Sequence, residues 1–554
     1  MKELIKSISK KEWQFVAIMA VVLAIITGLP YLYAYFTAPA GTVYNGLNSL
    51  TPADNPVYYS YINQVKQGSV LVQDLFTTED LPSGLFNIVW FVIGIFARIF
   101  NLSPILAFHL ARLLLIPIFI AVAYLFISLF FSDVFKRKIS LVFLLFSAGL
   151  GAYFIVPLSL FNFSSQAGYG SPNDIWIPES ITFLSLYKTP HFIVSLILMF
   201  LIFLLMILAF EKKYFCYALW SGFLSLIYFN FHPFYIPMVF GALGLYLLFL
   251  FFQSKKILWQ PAGYFLSFVV ISSISIFYHL YCLAQSPMLA QRGLQNVTLA
   301  PSLVLIFVGY GLLWILAGLA IFYLIKTRQL TNRLAFLLIW LVFSIFLVWL
   351  PNQFQSRYTQ GLHFPLVIFS VFGWFIFKDE FLNKRFKKYY TYFADKVFLV
   401  MIFVLFIAVT NIFNLTRDYY YFTFKPGVIK KYFYLPQDAV LAMAWLANEN
   451  PPAEKRILAS VLNSLFIPGY ANQRVYVAHG IETLDYLAKQ SYLVWFFGSD
   501  KQANLKLNFL HKNNIDYIFY GEEEKSLGNF NPADKNYLKL VFDLSQAKVY
   551  QVVK

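Results

Sequence analysis

Asp54 stands in Thr51-Pro52-Ala53-Asp54-Asn55-Pro56-Val57-Tyr58-Tyr59, directly downstream of a long apolar run. Three further segments place ionisable side chains beside apolar runs. One contains Asn173-Asp174-Ile175-Trp176-Ile177-Pro178-Glu179 and continues to Lys188-Thr189-Pro190-His191. Another is Asn230-Phe231-His232-Pro233-Phe234, and the third extends from Asn352 through Arg357 to His363. Carboxylates and imidazoles accept protons, whereas lysine and arginine hold anions, arginine through two parallel bonds. The set fits acid–base chemistry next to an anion. Ionisable groups near bilayer depth are functional candidates by default.

The chain around them has 554 residues, of which 60% are hydrophobic, 20% aromatic and only 12% charged. Its mean hydropathy is +0.66. Soluble domains carry about twice that charged fraction, so a polytopic α-helical membrane protein is expected. The net charge of +16 reads as the cation bias of many short loops, and no nucleic-acid partner is expected. Cys216 and Cys282 both lie in apolar runs and form no disulfide framework. There is no GxxxxGK[ST] loop for an ATP motor, no HExxH and no Cys/His metal spacing. The first apolar run lacks a small-residue cleavage site, so it is expected to be a retained span.

A helical span needs about 20 apolar residues. About eleven runs qualify, near 14–36, 104–131, 139–161, 190–210, 214–231, 233–252, 257–282, 301–325, 334–351, 365–377 and 397–416. One set of loops carries Lys136-Arg137-Lys138, Lys212-Lys213, Lys255-Lys256, Arg333 and the cluster around Lys384-Arg385. The alternate loops carry Asp54, Asp74, Glu79, Asp80, Asp174 and Glu179. This asymmetry predicts a cytoplasmic N-terminus and an outer C-terminus. His109, His191, His232, His279 and His363 then all fall at outer span ends. The run 85–101 is short and interrupted by Arg98, so a helix along the outer surface is expected there, with a twelfth span as the alternative. Arg112 sits about two turns inside a span and should meet a polar partner, either an acid or a substrate phosphate. Gly149-Leu150-Gly151 reads as close helix packing.

Residues 1–416 are therefore read as a transmembrane domain with an outer loop at 37–103, and 417–554 as an extracytoplasmic α/β domain. In the latter, strands are expected at 456–459, 475–478, 516–520, 538–544 and 549–553, with helices at 439–448, 482–497 and 502–513.

An early Asp54 in a long outer loop, then Tyr58-Tyr59-Ser60-Tyr61, a surface helix and a span with Ala111-Arg112-Leu113, resembles the GT-C superfamily of integral-membrane glycosyltransferases. The nearest in style are bacterial relatives of protein O-mannosyltransferases and lipid A aminoarabinose transferases. Many of these enzymes carry two adjacent acids in this loop, but here Asn55 follows Asp54. The second acid then lies with Asp174 or Glu179. The resemblance implies a polyprenyl-phosphate sugar donor, a glycan, lipid or protein acceptor, and transfer on the outer face of the plasma membrane. It makes Asp54 the base and Arg357, His191, Lys188, His232 and Arg112 the ligands of the donor phosphate. Tyr58, His363 and Trp176 would line the substrate. It leaves a divalent cation open as cofactor. A flippase of lipid-linked sugars or a membrane scaffold with an outer binding domain are the competing readings; the first calls for inverted repeats, and none is seen.

Overall fold

The computed structural model describes residues 1–79, 84–160, 170–382, 403–424 and 428–553. Asp80, the cluster around Lys384-Arg385 and the start of the 397–416 run lie outside them. Among the described residues, eight helices are long and apolar enough to cross a membrane. They are Lys10–Phe36, Pro104–Ile127, Val134–Ile155, Pro190–Lys212, Pro233–Ser254, Trp259–Gln285, Asn332–Trp349 and Gln355–Glu380. A ninth is broken: Leu303–Tyr310 and Leu312–Lys326 meet at 88°. Gly311, at φ +48°, makes that bend with a backbone that side-chain-bearing residues rarely adopt. Phe215–Phe231, expected as a span, is 17 residues long, about 26 Å at 1.5 Å per residue.

The run 85–101 forms the helix Ile88–Ile99. Its 12 residues extend about 18 Å, too short for a hydrocarbon core of about 30 Å. Asn87 caps it by accepting from the Trp90 amide. Val89, Trp90, Ile93, Gly94 and Ala97 form its buried face. A Cβ at Gly94 would come within 2.4 Å of Val65 Cβ, so glycine is what lets this helix lie against Asp54–Lys66.

The chain packs as two compact units. The first comprises Met1–Pro30, Arg112–His279 and Val297–Asp418. Its core is apolar and aromatic: Phe364 stacks on Phe126 at 4.7 Å, and Phe200 and Trp340 pack around them. Pro190–Lys212 is its most enclosed span, with 89% of its apolar window buried. Glu12 and Arg137 form a buried ion pair of 3.3 Å, to which Tyr124 Oη donates a 2.7 Å bond.

The second unit comprises Tyr31–Ala111, Leu280–Asn296 and Tyr419–Lys554. Among its described residues the strands are β1 (Thr42–Tyr44), β2 (Tyr434–Pro436), β3 (Arg456–Leu458), β4 (Arg474–Val475), β5 (Tyr517–Gly521), β6 (Leu538–Asp543) and β7 (Ala547–Val552). β1 and β2 pair antiparallel, which ties the 37–103 loop to the C-terminal residues. The other five form one sheet in the order β4-β3-β5-β7-β6. Its β4-β3-β5 part is parallel and its β5-β7-β6 part antiparallel. Leu458, Val477, Phe496, Ile518, Phe530 and Tyr550 belong to the core beneath it. The expected strand 475–478 is shorter than its apolar run, because Val477 pairs with Thr77 of the 37–103 loop. That diversion carries the chain on towards His479.

Candidate active site

Asp54 opens the helix Asp54–Lys66, where the helix dipole favours a carboxylate. Its side chain is 36% accessible, and its Oδ1 lies 3.3 Å from Nε2 of the nearly buried His479. The turn that holds this imidazole is built by Thr483. Its Oγ1 accepts from the amides of Ala478 (3.0 Å) and His479 (3.3 Å) and donates to the Phe76 carbonyl at 2.6 Å. His479 Nδ1 accepts from the Ile481 and Glu482 amides, each at 3.3 Å. In the neutral ring the proton therefore sits on Nε2, facing Asp54. Burial disfavours the imidazolium, but the hydrogen bond and charge of Asp54, joined by Glu482 and Asp74, outweigh it and hold the ring above its usual 6.5.

Behind this pair, Arg292 bridges Glu482 at 2.8 Å and Asp74 at 3.5 Å. Burial pushes the Asp74 carboxyl up to about 7, against the pull of Arg292. Arg292 comes from the helix Pro287–Gln295, capped by Ser286. Gln295 Nε2 donates to the carbonyls of Ile481 (3.3 Å) and Thr483 (3.0 Å), tying the same helix to the His479 turn. Tyr58 stacks on Trp90 at 4.6 Å, with Phe108 parallel at 6.3 Å.

The electrostatics give a titration to measure. In ¹³C-histidine-labelled protein, the His479 ring titrates above 6.5, and in Asp54→Asn its midpoint falls, because burial loses its main opponent. The pair's contribution to stability is full below about 6.5 and is lost as pH rises through the raised value. An unchanged His479 midpoint in Asp54→Asn would rule out the coupling.

The first unit gathers a separate set. Arg357 pairs with Glu179, and its guanidinium lies 5.5 Å over the Phe234 ring. The His191 and His232 rings are 5.1 Å apart, and His232 is 5.0 Å from Phe234. His191 Nδ1 lies 2.7 Å from Thr189 Oγ1, and His232 Nδ1 lies 2.8 Å from Ser195 Oγ. Lys188, 1% exposed, ends the helix Thr182–Lys188 just before them. Pro190 starts the next helix, a position where its missing N–H costs nothing; this fixes His191 at a span end. Arg357, Glu179, His191, His232 and Phe234 are thus brought together.

The remaining candidates are held elsewhere in the first unit. Asp174 is enclosed, and its Oδ2 accepts from the amides of Gly149 and Gly151, both at 3.1 Å. Burial pushes its carboxyl up to about 7. A Cβ at Gly151 would come within 2.2 Å of Asp174 Oδ1, so this glycine pair serves an anchored carboxyl as well as close packing. Arg112 is buried, and it donates to the carbonyls of Thr27 (3.2 Å) and Leu186 (3.3 Å). Backbone oxygens are thus among the polar partners expected for it. His363 meets Thr182 Oγ1 at 2.9 Å and Ser147 Oγ at 3.0 Å, so both ring nitrogens are engaged. Trp176 Nε1 donates to the Ser171 carbonyl at 3.1 Å. Among the described residues, no group of three or more His, Cys, Asp or Glu is placed to hold a metal ion.

His479, Arg292 and Glu482 drew no notice in the sequence. The one available signal was His479 between a short apolar strand and Gly480, in an otherwise charged region.

No protein family matches the chain by sequence, and no curated protein does. Solved structures that match with a TM-score above 0.5 share its fold. The oligosaccharyltransferase of Archaeoglobus fulgidus, crystallised tethered to an acceptor peptide containing the NVT sequon, matches with a TM-score of 0.52 at 13% identity, over 92% of this chain and 69% of that one. AglB from the same organism, in complex with an inhibitory peptide and a dolichol-phosphate, matches with a TM-score of 0.52 at 13% identity, over 93% and 70%. ArnT from Cupriavidus metallidurans in the apo state covers 96% of this chain and 97% of its own at 11% identity, with a TM-score of 0.48. The chain thus shares its fold with these archaeal oligosaccharyltransferase structures, and its own described residues combine apolar helices of membrane-spanning length with a C-terminal sheet.

Proposed function

We propose that the chain is a membrane glycosyltransferase that moves a sugar from a polyprenyl-phosphate donor to an acceptor on the outer face of the membrane, with inversion. The GT-C fold carries this reading, and the accessible Asp54 carboxylate backed by His479 supports it. A hydroxyl acceptor needs a base within hydrogen-bond reach. Asp54 takes its proton as the acceptor oxygen bonds to the anomeric carbon. The bond from that carbon to the phosphate oxygen breaks, and the lipid phosphate leaves with the electron pair. Arg357, His191, His232 and Lys188 receive this phosphate. Glu179 then acts by orienting Arg357, and Asp174 by anchoring the glycine turn. The 37–103 loop and residues 417–554 lie outside the cytoplasm, and apolar span surfaces hold the lipid chain.

Purified protein given a labelled lipid-linked sugar releases polyprenyl phosphate only when an acceptor is present. Movement of the intact donor across vesicles with no bond cleaved would replace this reading by a flippase. In the same assay, Arg357→Gln raises the donor KM about 10- to 100-fold, from the roughly 1.5–3 kcal/mol of a charged hydrogen bond. An unchanged donor KM would remove Arg357 from the phosphate site.

A further inference from the structure

The first unit has a polar cavity of about 650 Å³. It is lined by Ser128 to Ser132, Arg137, Glu211, Thr331, Asn332 and Arg333. Four span ends meet there: the exit of Pro104–Ile127, the first turn of Val134–Ile155, the exit of Pro190–Lys212 and the start of Asn332–Trp349. His191 opens the same helix that Glu211 nearly closes. The 20 helical steps from one to the other rise about 30 Å, the thickness of a hydrocarbon core. The cavity therefore faces the leaflet opposite the Arg357–His191 cluster.

Its walls divide into two kinds. Leu129, Phe130 and Phe131 are apolar. Arg333 builds the polar side, with Nε and Nη2 each 2.7 Å from the Glu211 carboxylate and Nη1 2.9 Å from the Leu129 carbonyl. Arg137, nearly buried, donates from Nε to the Phe131 carbonyl at 2.7 Å. A terminal guanidinium nitrogen carries two N–H groups, so these bonds leave donors over. The three turns that frame the cavity, residues 128–138, 211–213 and 326–333, hold eight Lys or Arg against two acids. Glu12 on Arg137 and Glu3 on Lys212 pair from outside these turns, and the cations still exceed the acids by four. Basic pockets between span ends attract anionic headgroups, at about 1 kcal/mol per cation near the surface.

We propose that this cavity binds a phosphate ester, supplied by the headgroup of an anionic phospholipid in that leaflet. The cations hold the phosphate, and the Leu129–Phe131 wall holds the glycerol and upper acyl carbons. A free phosphate ion offers the same charge without the apolar part, so the two sources separate in a binding experiment.

Full-length protein in detergent is titrated with phosphatidylglycerol, phosphatidylcholine and inorganic phosphate, and bound lipid is read by native mass spectrometry. Phosphatidylglycerol binds at least about 10-fold tighter than phosphatidylcholine, as expected for two or more cation contacts. The double variant Thr331→Asp/Asn332→Asp adds negative charge to the cavity wall. Aspartate is as good a helix N-cap as threonine, so the melting temperature holds while phosphatidylglycerol affinity falls at least about 10-fold. Equal affinity for the two lipids, or no loss in the double variant, overturns the proposal. Displacement of phosphatidylglycerol by equimolar inorganic phosphate overturns the lipid as source.

Discussion

Asp54→Asn lowers sugar transfer by about 10²- to 10⁴-fold, the usual contribution of a positioned general base, and leaves the protein folded. The substitution keeps the shape and an oxygen acceptor for His479 Nε2 but cannot take a proton. Its structural cost is small, because a carboxylate in the first helical turn is worth about 0.3–1 kcal/mol. Loss of transfer with an unchanged melting temperature therefore separates chemistry from stability. His479→Gln acts through position: it loses less activity than Asp54→Asn, and it moves the acidic limb of the pH–rate profile because Asp54 no longer faces an imidazolium. Full transfer by Asp54→Asn would exclude it as the base.

Arg292→Met is the second large effect, and it falls on stability. Asp74 is wholly buried, and Glu482 nearly so; Arg292 is the cation between them. Removing one partner from a buried ion pair costs about 3–5 kcal/mol, because the other charges stay behind uncompensated. Domains are stable by only about 5–15 kcal/mol, so the melting temperature of the purified protein drops sharply. Adding Asp74→Asn and Glu482→Gln removes the stranded charges and recovers most of the loss. A triple variant no more stable than Arg292→Met would show that packing by Arg292, rather than its charge, is what matters. The sign of the pH dependence follows from Asp74. Its carboxyl is raised in the folded chain and rises further without Arg292, so the folded state binds the proton more tightly than the unfolded one. Stability then falls as pH climbs from the unfolded value near 3.9 towards the folded one. The deficit of Arg292→Met is therefore larger at pH 8 than at pH 5.

Much of the scaffold follows from local pattern. Among the described residues, the apolar runs near 14–36, 104–131, 190–210, 233–252, 257–282 and 334–351 form helices close to the expected places. The 85–101 run was open to either a surface helix or a span, and its 12-residue helix is too short to cross. The strands at 456, 517, 538 and 547 begin within two residues of where β-branched and aromatic runs place them. The site residues are less legible. His191, His232 and Arg357 stand out as ionisable groups at span ends, but nothing local shows that Glu179 closes on Arg357. Asp174 looks as exposed in sequence as Asp54, yet it is enclosed by two glycine amides. Arg112 was expected to meet an acid or a phosphate, and no local pattern shows that the Thr27 and Leu186 carbonyls are among its partners.

The sequence by itself determined the chemistry in stock: which side chains can ionise, and that apolar helices must carry them. These are properties of composition and of periodicities within one helix or strand. Tertiary structure alone decided the partners. Asp54 and His479 are 425 positions apart, and Arg357 and Glu179 are 178 apart. Whether a carboxylate meets an imidazole, an arginine or a pair of amides depends on how distant segments pack. Packing also sets the burial that moves Asp74 and His479 away from their ordinary proton affinities.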